Sequence, residues 1–223
     1  MNTLSLLQKI LNSNEGKIFA LGVFLLLLYF VLLGAIFFYF QEYYKTIAAM
    51  SVSNVIFGRA AGLSIGLAAG LSYEVVVFFN FYIEAVMVFL LYPLFVLSWK
   101  RFIDFGFLKS WVESSKSYAA KYHESIHKYG IFGLLLFVWF PFWMTGPIVG
   151  CAIGYLMGLR HFITLSVVLV GTLVATVCWA FFLSSLQEWA SSFSEYAPWI
   201  IVAVIVVLVI LTTLYRTLLT KKP

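Results

Sequence analysis

Charge is scarce in this chain. Asp, Glu, Lys and Arg make up 10% of its 223 residues, against about 25% in a soluble domain. With 63% hydrophobic residues and a mean hydropathy of +1.02, it cannot cover a water-facing surface with polar groups, so the excess must face lipid. Cysteine is nearly missing. Cys151 and Cys178 lie inside apolar runs, with no CxxC or Cys/His spacing, so neither a disulfide framework nor a zinc site is expected. No phosphate-loop string occurs, and an enzyme or a cofactor is not expected. The Gly-rich stretch AAGLSIGLAAG lacks the lysine of a phosphate loop and suits helix packing. Basic residues show no aromatic-interleaved stripe, so nucleic acid is not an expected partner. The net charge of +5 fits cytoplasmic loops beside anionic headgroups.

Long apolar runs are present instead. Ile18–Phe40, Phe78–Trp99, Phe162–Leu186 and Trp199–Leu219 each reach the roughly 20 residues needed to cross a bilayer. Trp99, Trp111, Tyr129 and Trp199 sit near run ends, where amphipathic rings settle at the interface. The first run exceeds a signal-peptide core and has no A-x-A site, so it reads as a retained helix.

Two further apolar stretches do not read as simple spans. Ala60–Tyr73 is short and rich in Gly, Ala and Ser. The second, 131–159, carries Pro141 and Pro147 around Thr145 and Gly146, and prolines so placed break a helix. The linker 100–129 holds six Lys and Arg against three acids, and the tail holds Lys221 and Lys222. Both are expected in the cytoplasm by the positive-inside rule. The loop with Glu188 and Glu195 has no Lys or Arg and is expected outside. These sides agree only if 60–77 and 131–159 each enter and leave on one face. The expected architecture is therefore all-α and polytopic, a single membrane domain of four transmembrane helices plus two re-entrant hairpins as an inverted repeat. Both termini are cytoplasmic in this scheme. Within the linker, Leu108, Trp111, Val112, Tyr118, Tyr122, Ile126 and Tyr129 recur at near-helical spacing, as in a helix lying on the inner leaflet.

Ionisable and irregular positions at membrane depth are functional candidates by default. Glu74 closes the first hairpin. Glu84 lies about two turns into the next span, and Asn80, four residues earlier, shares its helix face. A carboxyl in low-dielectric surroundings takes up a proton more readily than in water, which suits proton-coupled transport. Arg160 and His161 follow the second hairpin, where Arg160 could hold a phosphate; Arg59 is expected to snorkel to the interface. Pro141, Thr145, Gly146 and Pro147 form the second hairpin's tip, whose exposed backbone could line a binding site. His123 and His127 stand four apart beside Glu124 without a third ligand, as solvated surface residues do.

The segment from His127 to Ala175 resembles the small multidrug export family of bacteria. It carries the family's "KYG" start at Lys128–Gly130, its "LFV-x-x-P" at Leu136–Pro141, its "TG" tip at Thr145–Gly146 and its "G-x-x-x-A" run at Gly171–Ala175. That family is similar in layout to the DedA membrane proteins, which pair two re-entrant hairpins. The resemblance implies lipid-carrier translocation or proton-dependent drug tolerance in a bacterial inner membrane, with the acid of the first hairpin at Glu74. The DedA arginine after the second-hairpin proline is replaced by Phe142, Trp143 and Met144.

The expected function is a DedA-like inner-membrane transporter or lipid translocase with proton coupling. Its partners would be a membrane lipid or an amphipathic small molecule, and protons. The alternative is a non-transporting assembly factor, chaperone or scaffold, working as a homodimer or beside another membrane protein.

Overall fold

A computed structural model describes residues 13–103, 132–135, 138–139, 145–192 and 196–219, with side chains at most of these positions. Among them every regular element is a helix: α1 (Asn14–Tyr39), α2 (Gln41–Phe57), α3 (Arg59–Ala68), α4 (Tyr73–Ile103), α5 (Thr145–Leu156), α6 (His161–Ser191) and α7 (Ala197–Leu219). Residues 132–135 and 138–139 are helical as well.

Three helices are long and apolar enough to span a membrane: Asn14–Tyr39, Tyr73–Ser98 and His161–Ser191. The chain is a multi-pass membrane protein. The α1 start is fixed by Ser13, whose Oγ accepts the Gly16 N–H at 3.1 Å, filling one of the donors a helix N-terminus leaves open. Only 11% of the most apolar stretch of α1 is buried, against 44% for α4 and 39% for α6. Its exposed Phe24, Phe30, Val31 and Phe38 are the lipid-facing surface that the composition required. Pro93 lies inside α4, where a bilayer helix tolerates the lost donor if neighbours satisfy the freed carbonyl. The fourth expected span is α7; its fully described apolar part, Trp199–Leu208, is shorter than a span.

The chain divides into two compact units. The first unit takes Met1–Val31, Ala85–Trp139 and Pro147–Gly171. Its core is Val88, Tyr92 and Val96 on one stripe of α4, with Leu134, Val138, Cys151, Leu159, Leu165 and Val168. The second unit takes Leu32–Glu84, Phe140–Gly146 and Thr172–Pro223. There α2 packs on α3, and α7 packs on both.

One local motif occurs in both units at constant sequence interval. Gly62, Gly66, Gly70 and Leu71 of the second unit correspond to Gly150, Gly154, Gly158 and Leu159 of the first. In each, a short helix ends on a glycine in the left-handed region, Gly70 at φ 78° and Gly158 at φ 75°. The closing hydrogen bonds correspond too. Leu71 N–H donates to Gly66 O at 3.1 Å and Gly70 N–H to Leu67 O at 3.0 Å; Leu159 N–H donates to Gly154 O at 3.1 Å and Gly158 N–H to Tyr155 O at 2.9 Å. This is the Schellman cap, which fits Gly because an L side chain is strained there. Both leucines are buried behind the turn, and a helix of 31 residues follows in each case.

Sequence and structure differ over Ala60–Tyr73. That stretch is not two arms of a hairpin; most of it is the single helix α3, and the chain reverses at Gly58 (φ 93°) between α2 and α3. The polar start of α2, QEYYK, hid that helix. The amphipathic helix expected over the linker lies outside the described residues beyond Ile103, as does Pro141.

Candidate functional site

The second unit buries an ion pair among apolar helices. Arg59, at the first position of α3, is 3% exposed and Glu84, in α4, 6%. The Arg59 Nε–H donates to Glu84 Oε1 at 3.0 Å and Oε2 at 3.2 Å, and Nη2 donates to Oε2 at 2.6 Å. This engages both carboxylate oxygens, the geometry that makes guanidinium–carboxylate pairs strong. Arg59 therefore does not snorkel to the interface. A cation at a helix N-terminus faces the positive end of the helix dipole, so in this buried position it requires a close anion, and Glu84 supplies it.

Two amides complete the group. Asn54 comes from the last turn of α2 and Asn80 from α4, one turn before Glu84. Asn54 Nδ2 donates to Asn80 Oδ1 at 2.7 Å and lies 3.4 Å from Glu84 Oε1. Asn80 Nδ2 donates back to Val76 O at 2.8 Å. Asn54 and Asn80 are buried, and both amide nitrogens and the Asn80 oxygen are paired, as burial demands. Gly62 makes room for them. A Cβ there would collide with Asn80 Oδ1, stand 2.8 Å from Asn54 Cβ and 3.0 Å from Met50 O.

Further polar groups line the same unit. Gln187 Nε2 donates to Ser64 O at 3.1 Å, and the Tyr73 hydroxyl donates to Val177 O at 2.7 Å. The buried hydroxyls of Ser51, Ser64 and Thr172 have no hydrogen-bond partner among the described residues. Such unpaired donors are uncommon in a finished core.

Among the residues singled out from sequence, the structure brings Asn80 and Glu84 together and adds Asn54 and Arg59. Glu74 is exposed in the first turn of α4, a position where the helix dipole favours a carboxylate, and it is not a member of the group. Arg160 is exposed just before α6, and Pro147 is buried in the first unit. Thr145 and Gly146 begin α5; their side-chain surroundings lie outside the described set. Among the described residues no group of three or more His, Cys, Asp or Glu side chains that could hold a metal comes together.

A family model described as "Putative small multi-drug export protein" matches residues 59–178. The chain belongs to that family. The match begins at Arg59 itself and takes in Asn80 and Glu84, together with both copies of the glycine-capped motif. No curated protein and no solved structure matches the chain. The description of the small multi-drug export family is that of a transport protein, not an enzyme.

Proposed function

We propose that this chain is a proton-coupled inner-membrane transporter or lipid translocase of DedA-like layout, with Arg59, Glu84, Asn54 and Asn80 as its working site. The observation that carries this reading is the buried, doubly bonded Arg59–Glu84 pair. A buried pair is a poor device for stability, since apolar residues of the same volume hold a fold as well or better. At membrane depth such a pair is retained for what it does.

The chemistry follows from the two groups. A proton on Glu84 removes the counter-charge of Arg59, which cannot itself deprotonate. The freed guanidinium then binds an anionic headgroup or an acidic amphiphile. Loss of the proton restores the pair and releases the cargo. Unpaired Ser51, Ser64 and Thr172 hydroxyls supply further donors to a polar ligand. Glu74, exposed and set at a helix N-terminus, is a lesser candidate for the proton than Glu84. Pro141, Thr145, Gly146, Pro147 and Arg160, at and after the tip of the second proposed hairpin, are further proposed site residues. The glycine-capped motif found in both units supports an inverted repeat, and α2–α3 with its turn at Gly58 is the proposed first re-entrant hairpin. α7 is the proposed fourth span, with both termini cytoplasmic.

The test is reconstitution of the full chain in vesicles with an imposed pH gradient. The probes are fluorescent phosphatidylglycerol, fluorescent phosphatidylethanolamine and ethidium. Movement of one probe should be accelerated by the gradient, and Glu84→Gln should remove that acceleration. If no probe moves and another membrane protein co-purifies at fixed ratio, the chain is an assembly factor or scaffold instead.

A further inference from the structure

The first unit contains a separate group of titratable side chains. His161 opens α6. Its Nδ1 lies 2.6 Å from the hydroxyl of Tyr92 in α4, and its Nε2 lies 3.6 Å from Glu15 Oε1 in the first turn of α1. The Tyr155 ring of α5 stacks on the imidazole, with centroids 6.2 Å apart and planes 18° from parallel. Glu15 and Tyr92 are buried, whereas the His161 side chain keeps 30% of its surface exposed. Cys151 lies beside Tyr92 in the same core, and Arg160 precedes His161 with its side chain exposed.

We infer that Glu15, His161 and Tyr92 form a proton-binding site, distinct from the Arg59–Glu84 pair and independent of which cargo the protein carries. A neutral imidazole accepts at one nitrogen and donates at the other, while an imidazolium donates at both. Few surroundings satisfy both states; this one does. In the neutral state the Tyr92 O–H donates to Nδ1, and Nε2–H points at the Glu15 carboxylate. When a proton adds to Nδ1, the new N–H donates to the Tyr92 oxygen, which reverses its role. The hydroxyl hydrogen of Tyr92 must then find another acceptor. Thr164, one turn into α6, stands close to Tyr92. Its buried Oγ1 accepts from no group among the described residues, so it can take that hydrogen while the two hydroxyls stay neighbours. The charged ring also gains the Glu15 carboxylate as counter-ion. The motion required is rotation of hydroxyls alone, and the ring keeps an exposed edge.

The experiment is nitrogen NMR of the full chain in detergent, labelled with ¹⁵N-histidine. There are three histidines, His123, His127 and His161, and His161→Asn identifies the third signal. The His161 ring is expected to pass from neutral to charged as the medium is acidified. Glu15→Gln should move that midpoint to lower pH, since it removes an adjacent opposite charge, and leave His123 and His127 unchanged. Thr164→Val, nearly the same shape, should lower the midpoint as well, since it removes the acceptor that the charged state needs. A merely structural clamp between His161 and Glu15 would not respond to Thr164→Val. The inference is overturned if the wild-type ring keeps one protonation state while the protein stays folded. It is overturned equally if neither folded variant shifts the midpoint.

Discussion

Breaking the Arg59–Glu84 pair from either side should have unequal consequences. Glu84→Gln strands a guanidinium that is 3% exposed and cannot give up its proton. Removing one partner of a buried pair costs about 3–5 kcal/mol, and Glu84→Gln belongs in that range wherever the wild-type Glu84 is ionised. Arg59→Met strands the carboxyl instead. That carboxyl keeps the nearby Asn54 amide, 3.4 Å away, and it can take a proton. Its deficit should be the smaller of the two. Arg59→Met combined with Glu84→Leu removes both charges and should recover to within about 1–2 kcal/mol of the wild type. The coupling energy would then be about 3 kcal/mol or more, against the 0.2–1 kcal/mol typical of exposed pairs. The assay is reversible unfolding from mild detergent by added sodium dodecyl sulfate, followed by tryptophan fluorescence. A coupling below about 1 kcal/mol would refute the burial argument.

Other substitutions have defined outcomes. Gly62→Ala drives a methyl into Asn80 and Met50 O and should lose about 1–3 kcal/mol in the same assay, whereas Gly34→Ala, which meets nothing within 4 Å, should gain about 0.5–1 kcal/mol. Gly70→Ala and Gly158→Ala should each lose about 1–2 kcal/mol, and similar amounts, because both caps share one geometry; a large difference would argue against equivalent motifs. In the vesicle assay Glu74→Gln should keep the gradient's effect that Glu84→Gln removes. The reverse result would move the proton role to the exposed acid.

The long helices were legible because a bilayer demands uninterrupted apolar runs, and α1, α4 and α6 supply them. Asn80 and Glu84 were legible because four residues along a helix share a face. The α2–α3 helix pair was not. The stripe that α2 buries is Ile47, Met50, Ser51 and Asn54, a helical spacing of half-polar residues, so the hydrophobic period is blurred and its polar start reads as a loop. Arg59 was misjudged for a related reason. Its burial depends on a carboxylate far along the chain, and no local pattern reports that pairing. Asn54 left a fainter signal, one amide in an otherwise small and apolar stretch. The doubled motif was available: GLSIGLAAGL and GCAIGYLMGL show the same glycine spacing on self-comparison. Glu15 gave no hint, since an acid in a helix's first turn ordinarily complements the dipole in water.

The most direct test of the transport reading is the protonation state of Glu84 itself. Infrared difference spectroscopy of the reconstituted protein, taken on acidification, reports new carboxyl C=O bands from buried acids. The expected result is a band that appears with acid, reverses with alkali, and is missing from folded Glu84→Gln. A spectrum without that band, in protein that remains folded throughout, would mean that Arg59 and Glu84 stay locked as a permanent clamp, and proton-driven opening of the site would be contradicted.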